Sequence, residues 1–245
     1  MRELGLNSRL SRRFAPTTTQ ADPTRQPAPN VLAQDFTATA PKRKWATDIT
    51  YLATTQGRVY LAVVLDLFSR KVVGCAMSDS LATELVSEAL RGAVETRRPT
   101  GRDLLHHSDR GCQYTSRDYQ HTLQTLGIQC SMSRTGGCYE NAVMERFFWS
   151  LKHEWTHHAS FPSLEDARRS VFRHIESFYN PRRLHQTLDD LSPDNLKPST
   201  PRLLRRKTSP QRCPKVLGYR SRSPTDDGLR TNQPLRPGNQ ALPSF

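Results

Sequence analysis

The 245-residue sequence predicts an α/β fold, a five-stranded mixed sheet flanked by helices, with extended basic tails at both ends. Three observations carry this expectation. Three β-rich runs follow one another through short links, two further short strands alternate with amphipathic helices, and charge and proline collect outside this region.

Residues 45–52 (WATDITYL) are rich in β-branched and aromatic side chains, as strands are. Residues 58–66 (RVYLAVVLD) are almost continuously apolar, the pattern of a strand buried on both faces. Residues 71–77 (KVVGCAM) supply a third strand after the Phe68-Ser69-Arg70 turn, which suggests an antiparallel meander. Helix then replaces strand. Between 81 and 96, Leu81, Leu85, Ala89 and Ala93 recur every fourth residue beside Val86, Leu90 and Val94, and Arg97-Arg98-Pro99 ends the run. Residues 104–107 form a short fourth strand, 116–126 a helix opened by a Ser116 cap and closed near Gly127, and 128–132 a fifth strand. A loop with Gly136 and Gly137, read as mobile or as a plain connector, precedes a long helix over 139–157 with Val143, Phe147 and Leu151 on one ridge. A last helix over 163–179 stops before Pro181. Strand order β-β-β-α-β-α-β with following helices is that of a ribonuclease H-like fold.

Lys and Arg number 36 against 23 Asp and Glu, a net charge of +13, which points to a polyanionic partner. The excess is uneven. Residues 1–44 carry net +5, residues 45–196 net −1 and residues 197–245 net +9. Proline divides the same way, with 5, 4 and 8 in the three stretches. The middle therefore reads as the folded domain, and the flanks as arms. Val59 to Leu65 is the longest apolar run, far below the roughly 18 residues that span a bilayer, and the first 15 residues lack an apolar signal core. No membrane partner and a cytoplasmic location are expected. Five cysteines without a C-x-x-C pair suggest reduced thiols rather than a disulfide framework or a zinc ribbon.

Most of the 18 acidic residues in the middle segment suit an ordinary surface, and Glu84, Glu88, Glu95, Glu165, Asp166 and Glu176 fall on helices among polar neighbours. Asp48 inside the first strand, Asp109 at the end of the fourth and Glu145 on the long helix are placed differently. A carboxylate in a strand is costly without compensation. Two central strand ends and a crossing helix can gather three such groups, whose repulsion Mg²⁺ or Mn²⁺ relieves. Two such ions can activate an attacking water or hydroxyl at a phosphodiester.

Asp109 and Glu145 are separated by 35 intervening residues. With WATDITY (45–51), VVLDLFSRKVVG (63–74), HSDRGCQY (107–114), CYENAVMERFF (138–148), LKHE (151–154) and YNPRRLHQTLDDLSP (179–193), the chain resembles the integrase-like DD(35)E transposases of bacterial insertion sequences, specifically their second reading-frame product. The likeness covers 45–196 and extends to the catalytic core of retroviral integrases. It implies a catalytic core for metal-dependent cleavage and joining of double-stranded DNA at element ends and target. Asp48, Asp109 and Glu145 are then the catalytic residues and the ligands of two Mg²⁺ (or Mn²⁺) ions. It also implies a homo-oligomer on DNA and a bacterial, nucleoid-associated location. The start, MRELGL, resembles the last part of an upstream DNA-binding region, so 1–44 reads as that remnant and a linker. Residues 197–245 fall beyond the likeness and read as a disordered basic tail or an out-of-frame extension.

Several residues keep two readings. Asp109 beside Arg110 also suits a turn aspartate with a local ion pair, and Asp66, ending the second strand, competes with Asp48; the resemblance gives Asp66 a turn role. Asn141, Glu145 and Lys152 share one helix face. Lys152, Asn141 and Arg146 are candidate DNA contacts, against the plainer reading of solvated helix residues. Met144, Phe148 and Trp155 suit packing. His106 and His107 point to opposite faces of their strand, and packed histidines fit better than ligands. Tyr179, Asn180, Arg183 and His185 suit either DNA contact or helix termination. Two rival functions remain: an endonuclease of ribonuclease H-like type that cuts without joining, and a truncated, inactive DNA-binding relic.

Overall fold

A computed structural model describes residues 27–100, 103–134 and 140–197. All lie within the unit Met1–Arg202. The Gly136-Gly137 loop, residues 1–26 and the tail beyond 197 lie outside the described residues.

Strands β1 (Lys44–Thr54), β2 (Gly57–Asp66), β3 (Val72–Ser78), β4 (Leu105–Ser108) and β5 (Gln129–Met132) form one sheet in the order β3-β2-β1-β4-β5. The first three pair antiparallel, as their short links require. β1 and β4 pair parallel, as do β4 and β5, because helices α1 (Thr83–Arg97) and α2 (Arg117–Thr125) intervene. Helices α3 (Ala142–Glu154) and α4 (Leu164–His174) follow.

The unbroken apolar run of β2 is explained by burial on both faces. Leu61, Val63 and Leu65 join a core with Met144, Phe147 and Leu151 of α3 and Val171 of α4. Ala62 and Val64 join a second core with Val86, Ala89 and Leu90 of α1 and Leu123 of α2. A helical layer thus covers each face of the sheet. Gly74 sits where α1 crosses β3; a Cβ there would overlap the Ala89 carbonyl oxygen and stand 2.7 Å from the Ala93 nitrogen. The expected caps form, with Ser116 Oγ accepting from Tyr119 N at 3.3 Å and Ser163 Oγ from Asp166 N at 3.2 Å.

Three differences from the sequence expectation have physical causes. The long helix is shorter than 139–157: it opens at Ala142 and stops after Glu154. Trp155 leaves helical geometry, its indole Nε1 donating to Ser170 Oγ of α4 at 2.9 Å, and a 3₁₀ turn, Thr156–His158, follows. The last helix is regular to His174 and then widens into a π turn, Ile175–Tyr179, closed by Asn180 N donating to Ile175 O at 2.9 Å. Asn180 then clasps the outer strand: its Oδ1 accepts from Val72 N at 3.0 Å and its Nδ2 donates to Val72 O at 3.2 Å. The body also begins before residue 45. Leu32 is buried in the α3-side core, and the backbone N–H groups of Val31 and Leu32 donate to Ser131 Oγ of β5 at 3.0 and 3.1 Å. Among the described residues no helix is long and apolar enough to cross a membrane.

Candidate active site

Strand register brings two aspartates together. β1 and β4 run parallel with Ala46 opposite His107. Two residues further along β1 stands Asp48, and just past the end of β4 stands Asp109, where the two strands part. Asp48 is half-buried inside β1, where Oδ1 accepts from Ile49 N at 2.8 Å; Asp109 Oδ1 accepts from Gly111 N at 2.9 Å. Burial first, and then the charges of Asp109 and Glu145, push the Asp48 carboxyl up to about 8, with Lys152 and the Ile49 N–H acting against them. Burial also raises Asp109, and its bond from Gly111 opposes the rise.

Glu145 is exposed in the first turn of α3. The helix is pinned beside β1 by Asn141, a buried residue whose Nδ2 donates to the Thr47 carbonyl at 3.3 Å. Asn141 O in turn accepts from Glu145 N at 3.1 Å. The Asn141 amide therefore faces the sheet, one residue before Asp48. Lys152 is half-buried, its Nζ 4.8 Å from the Tyr51 ring centre. Burial lowers its pKa, and Asp48 draws it back up. Arg146 is exposed, its guanidinium 5.3 Å from the Trp149 ring centre.

Asp109 and Glu145 thus both lie within electrostatic reach of Asp48. Among the described residues, however, no three His, Cys, Asp or Glu side chains are gathered tightly enough to hold a metal ion between them. The donor chemistry fits a hard divalent cation: carboxylate oxygens only, two of them raised by burial, with most of their lone pairs unused.

The competing residues take other work. Asp66 is fully buried and saturated: Oδ1 accepts from Phe68 N (2.9 Å), Ser69 N (3.1 Å) and Ser69 Oγ (3.3 Å), and Oδ2 from Lys42 N (2.8 Å) and Trp45 Nε1 (3.3 Å). It shapes the β2–β3 turn. His106 Nε2 meets Tyr119 Oη at 3.2 Å on one face, while His107 is held by Ser131 Oγ, Ser133 Oγ and the Glu140 carbonyl on the other. Arg110 Nε donates to Ser133 O at 2.7 Å. Met144 and Phe148 are buried in the core, and Trp155 packs against it.

Sequence reasoning missed two supports. Tyr114 is fully buried, its hydroxyl 3.3 Å from Thr47 Oγ1, which donates to Val63 O at 2.9 Å. Burial, and then the charges of Asp48, Tyr119 and Asp109, raise the Tyr114 phenol. Glu140, 1% exposed, pairs with Arg134 through side chain and backbone N–H, joining the two ends of segment 135–139. Both Thr47 and Tyr114 stand inside the sequence words that carry Asp48 and Asp109, and that proximity was the available signal.

Residues 38–138 and 126–193 each match an integrase core domain family. The transposase InsF of insertion sequence IS3A from Escherichia coli K12 is 44% identical over 199 residues, 80% of this chain and 68% of that protein. The chain belongs to the integrase-core transposases of insertion sequences. The transposase of insertion element IS904 from Lactococcus lactis is 43% identical over 169 residues, 69% of this chain and 66% of that protein. The fold recurs in a cryo-electron microscopy structure of a simian T-cell lymphotropic virus intasome in complex with a PP2A regulatory subunit. That likeness has a TM-score of 0.54 and 19% identity, covering 76% of this chain and 63% of that one. The ribonuclease H-like fold expected from element order is therefore the fold observed, and the enzyme class is that of transposases and integrases.

Proposed function

We propose that this transposase cuts the ends of an insertion sequence and joins them to target DNA, with Asp48, Asp109 and Glu145 as its catalytic residues. The observation that carries the reading is the pair of aspartates set side by side at the open end of two parallel strands, both destabilised as anions by burial and Asp48 further by its neighbours. Asp48, Asp109 and Glu145 would hold one or two Mg²⁺ or Mn²⁺ ions. Bound there, a divalent cation supplies Lewis-acid polarisation of a phosphodiester and a more acidic water or 3′-hydroxyl.

The chain's own groups do the rest. The Asn141 amide holds the start of α3 against β1, and the Thr47–Tyr114 contact ties β1 to the segment that follows β4, so the carboxylates keep their places. Lys152 puts a positive charge beside Asp48, where it faces the phosphates of a bound strand. Two element ends must be held together for joining, which calls for a homo-oligomer on double-stranded DNA. Such a protein resides with the nucleoid in the bacterial cytoplasm.

Incubation of the full chain with labelled insertion-sequence ends and Mn²⁺ or Mg²⁺ tests the proposal. Cut and joined products are expected from the wild type, and neither from Asp109→Asn. Cutting without joining supports the endonuclease alternative, and DNA binding with neither product supports an inactive relic.

A further inference from the structure

A cavity of about 530 Å³ opens on a different face of α3 from Glu145, between that helix and the chain after the π turn. Its walls include Arg70, Arg146 and Arg183, and none of its described lining residues is acidic. From this geometry we infer that the cavity binds a backbone phosphate of the DNA substrate, a second contact point separate from the carboxylate site. The inference rests on the reading of DNA as substrate given above.

The cavity is built before any ligand arrives. At its base the Tyr179 ring meets Phe147 edge-to-face at 4.9 Å and His185 at 5.3 Å, and its hydroxyl donates to the Arg70 carbonyl at 3.2 Å. Arg183 lies over the same ring, 5.9 Å from its centre, and is gripped by Glu154 through Nε (2.9 Å) and Nη2 (2.6 Å). That ion pair fixes the guanidinium beside the cavity while offsetting part of its charge. His185 is set by a tight return, with His185 N donating to Leu191 O at 3.1 Å and Asp190 N to His185 O at 3.0 Å.

The three arginines also converge electrostatically. Burial, then Arg183, Arg70 and Arg146, hold the His185 imidazole down at about 4, against the pull of Glu154. The ring is neutral at pH 7, and its buried Nε2 has no hydrogen-bond partner among the described residues. A neutral imidazole and planar guanidinium groups around one volume suit an oxyanion. The volume falls in the about 300–1,000 Å³ range of small-molecule sites, enough for a phosphodiester with its flanking sugars. Position favours DNA over a free anion. Arg146 is the residue after Glu145 on α3, so a strand leaving the carboxylates passes across the helix toward this cavity.

The test is binding of the full chain, without divalent metal, to a fluorescein-labelled duplex of the element end across a salt series. Arg146→Gln is expected to reduce the slope of log K against log salt by about 0.9, the value for one phosphate contact, and Arg183→Gln by less, because Glu154 already offsets that charge. Thr187→Glu, which adds a charge at the exposed rim, is expected to weaken binding with the melting temperature unchanged. Unaltered affinity and slope in Thr187→Glu and Arg146→Gln would overturn the site, as would a melting-temperature rise with inorganic phosphate while the DNA slope stays the same. Failure of the catalytic reading looks different: Asp109→Asn still cutting DNA, with the cavity variants shifting the slope as expected. A wild-type chain that binds no DNA removes both.

Discussion

Asp66 and Asp48 are carboxylates on adjacent strands of one sheet, and they live in opposite circumstances. Asp66 accepts five hydrogen bonds, from Lys42, Trp45, Phe68 and Ser69, so its burial is compensated bond by bond. Asp48 accepts one, from Ile49 N, and has Asp109 as its neighbour. A buried acid surrounded by donors is part of the scaffold; one surrounded by other acids holds nothing together and is available for a cation or a substrate. Environment separates the two roles, although the sequence shows only two aspartates in β-rich words.

The widest effect should separate them by activity. Asp48→Asn and Asp109→Asn are expected to lose DNA cutting and joining by roughly 10³-fold or more, as when a catalytic group is removed from a cooperating set. Their melting temperatures should hold or rise, since neither carboxyl is satisfied by scaffold donors as Asp66 is. A fall in melting temperature alongside retained activity would reverse the comparison. Asp66→Asn should do the opposite. An amide confronts N–H donors in either orientation, so a loss of about 3 kcal/mol is expected, seen as a melting temperature lower by about 6–12 °C.

Divalent cation sharpens the contrast next. Mn²⁺ at about 100 times its Kd should stabilise the wild type by about 2.7 kcal/mol in thermal denaturation. The shift should persist in Asp66→Asn and vanish in Asp109→Asn; an equal shift in both would remove the cation from this site.

The smallest effect concerns buried bases. Burial holds His106 at about 3 and His174 at about 4, below the usual 6.5. The unfolded chain therefore takes up protons first, and stability is complete above about 6.5 and falls as pH drops from there toward 4. Each histidine contributes at most about 1.4 kcal/mol per pH unit, measurable by urea denaturation at stepped pH. His174→Gln should flatten the curve, whereas an unchanged slope would show that other groups set it.

Much of this was legible in the sequence because the strands are long and patterned. The run 58–66 could only be a strand buried twice, and the structure divides its side chains between two helical layers. Asp66 was assigned to the turn and is found there. Local words could not show how far each helix runs: Trp155 is drawn out of α3 by Ser170, fifteen residues away, and the π turn after His174 depends on Asn180 reaching β3. The segment before residue 45 looked like an arm because it is basic and comparatively proline-rich, yet Leu32 finds the core and Ser131 satisfies its backbone. Tyr114 was missed for the same reason: its partner Thr47 is 67 positions away.

The Asn180 clasp has a consequence for how the protein behaves in a crowd. β3 ends the sheet, and an outer strand offers its unused N–H and C=O groups to any passing extended chain. By accepting from Val72 N and donating to Val72 O, one side chain imitates the next strand at the place where an intruder would begin to pair. A single amide thus closes the sheet at the start of β3, where an unguarded edge would otherwise begin to recruit a neighbour.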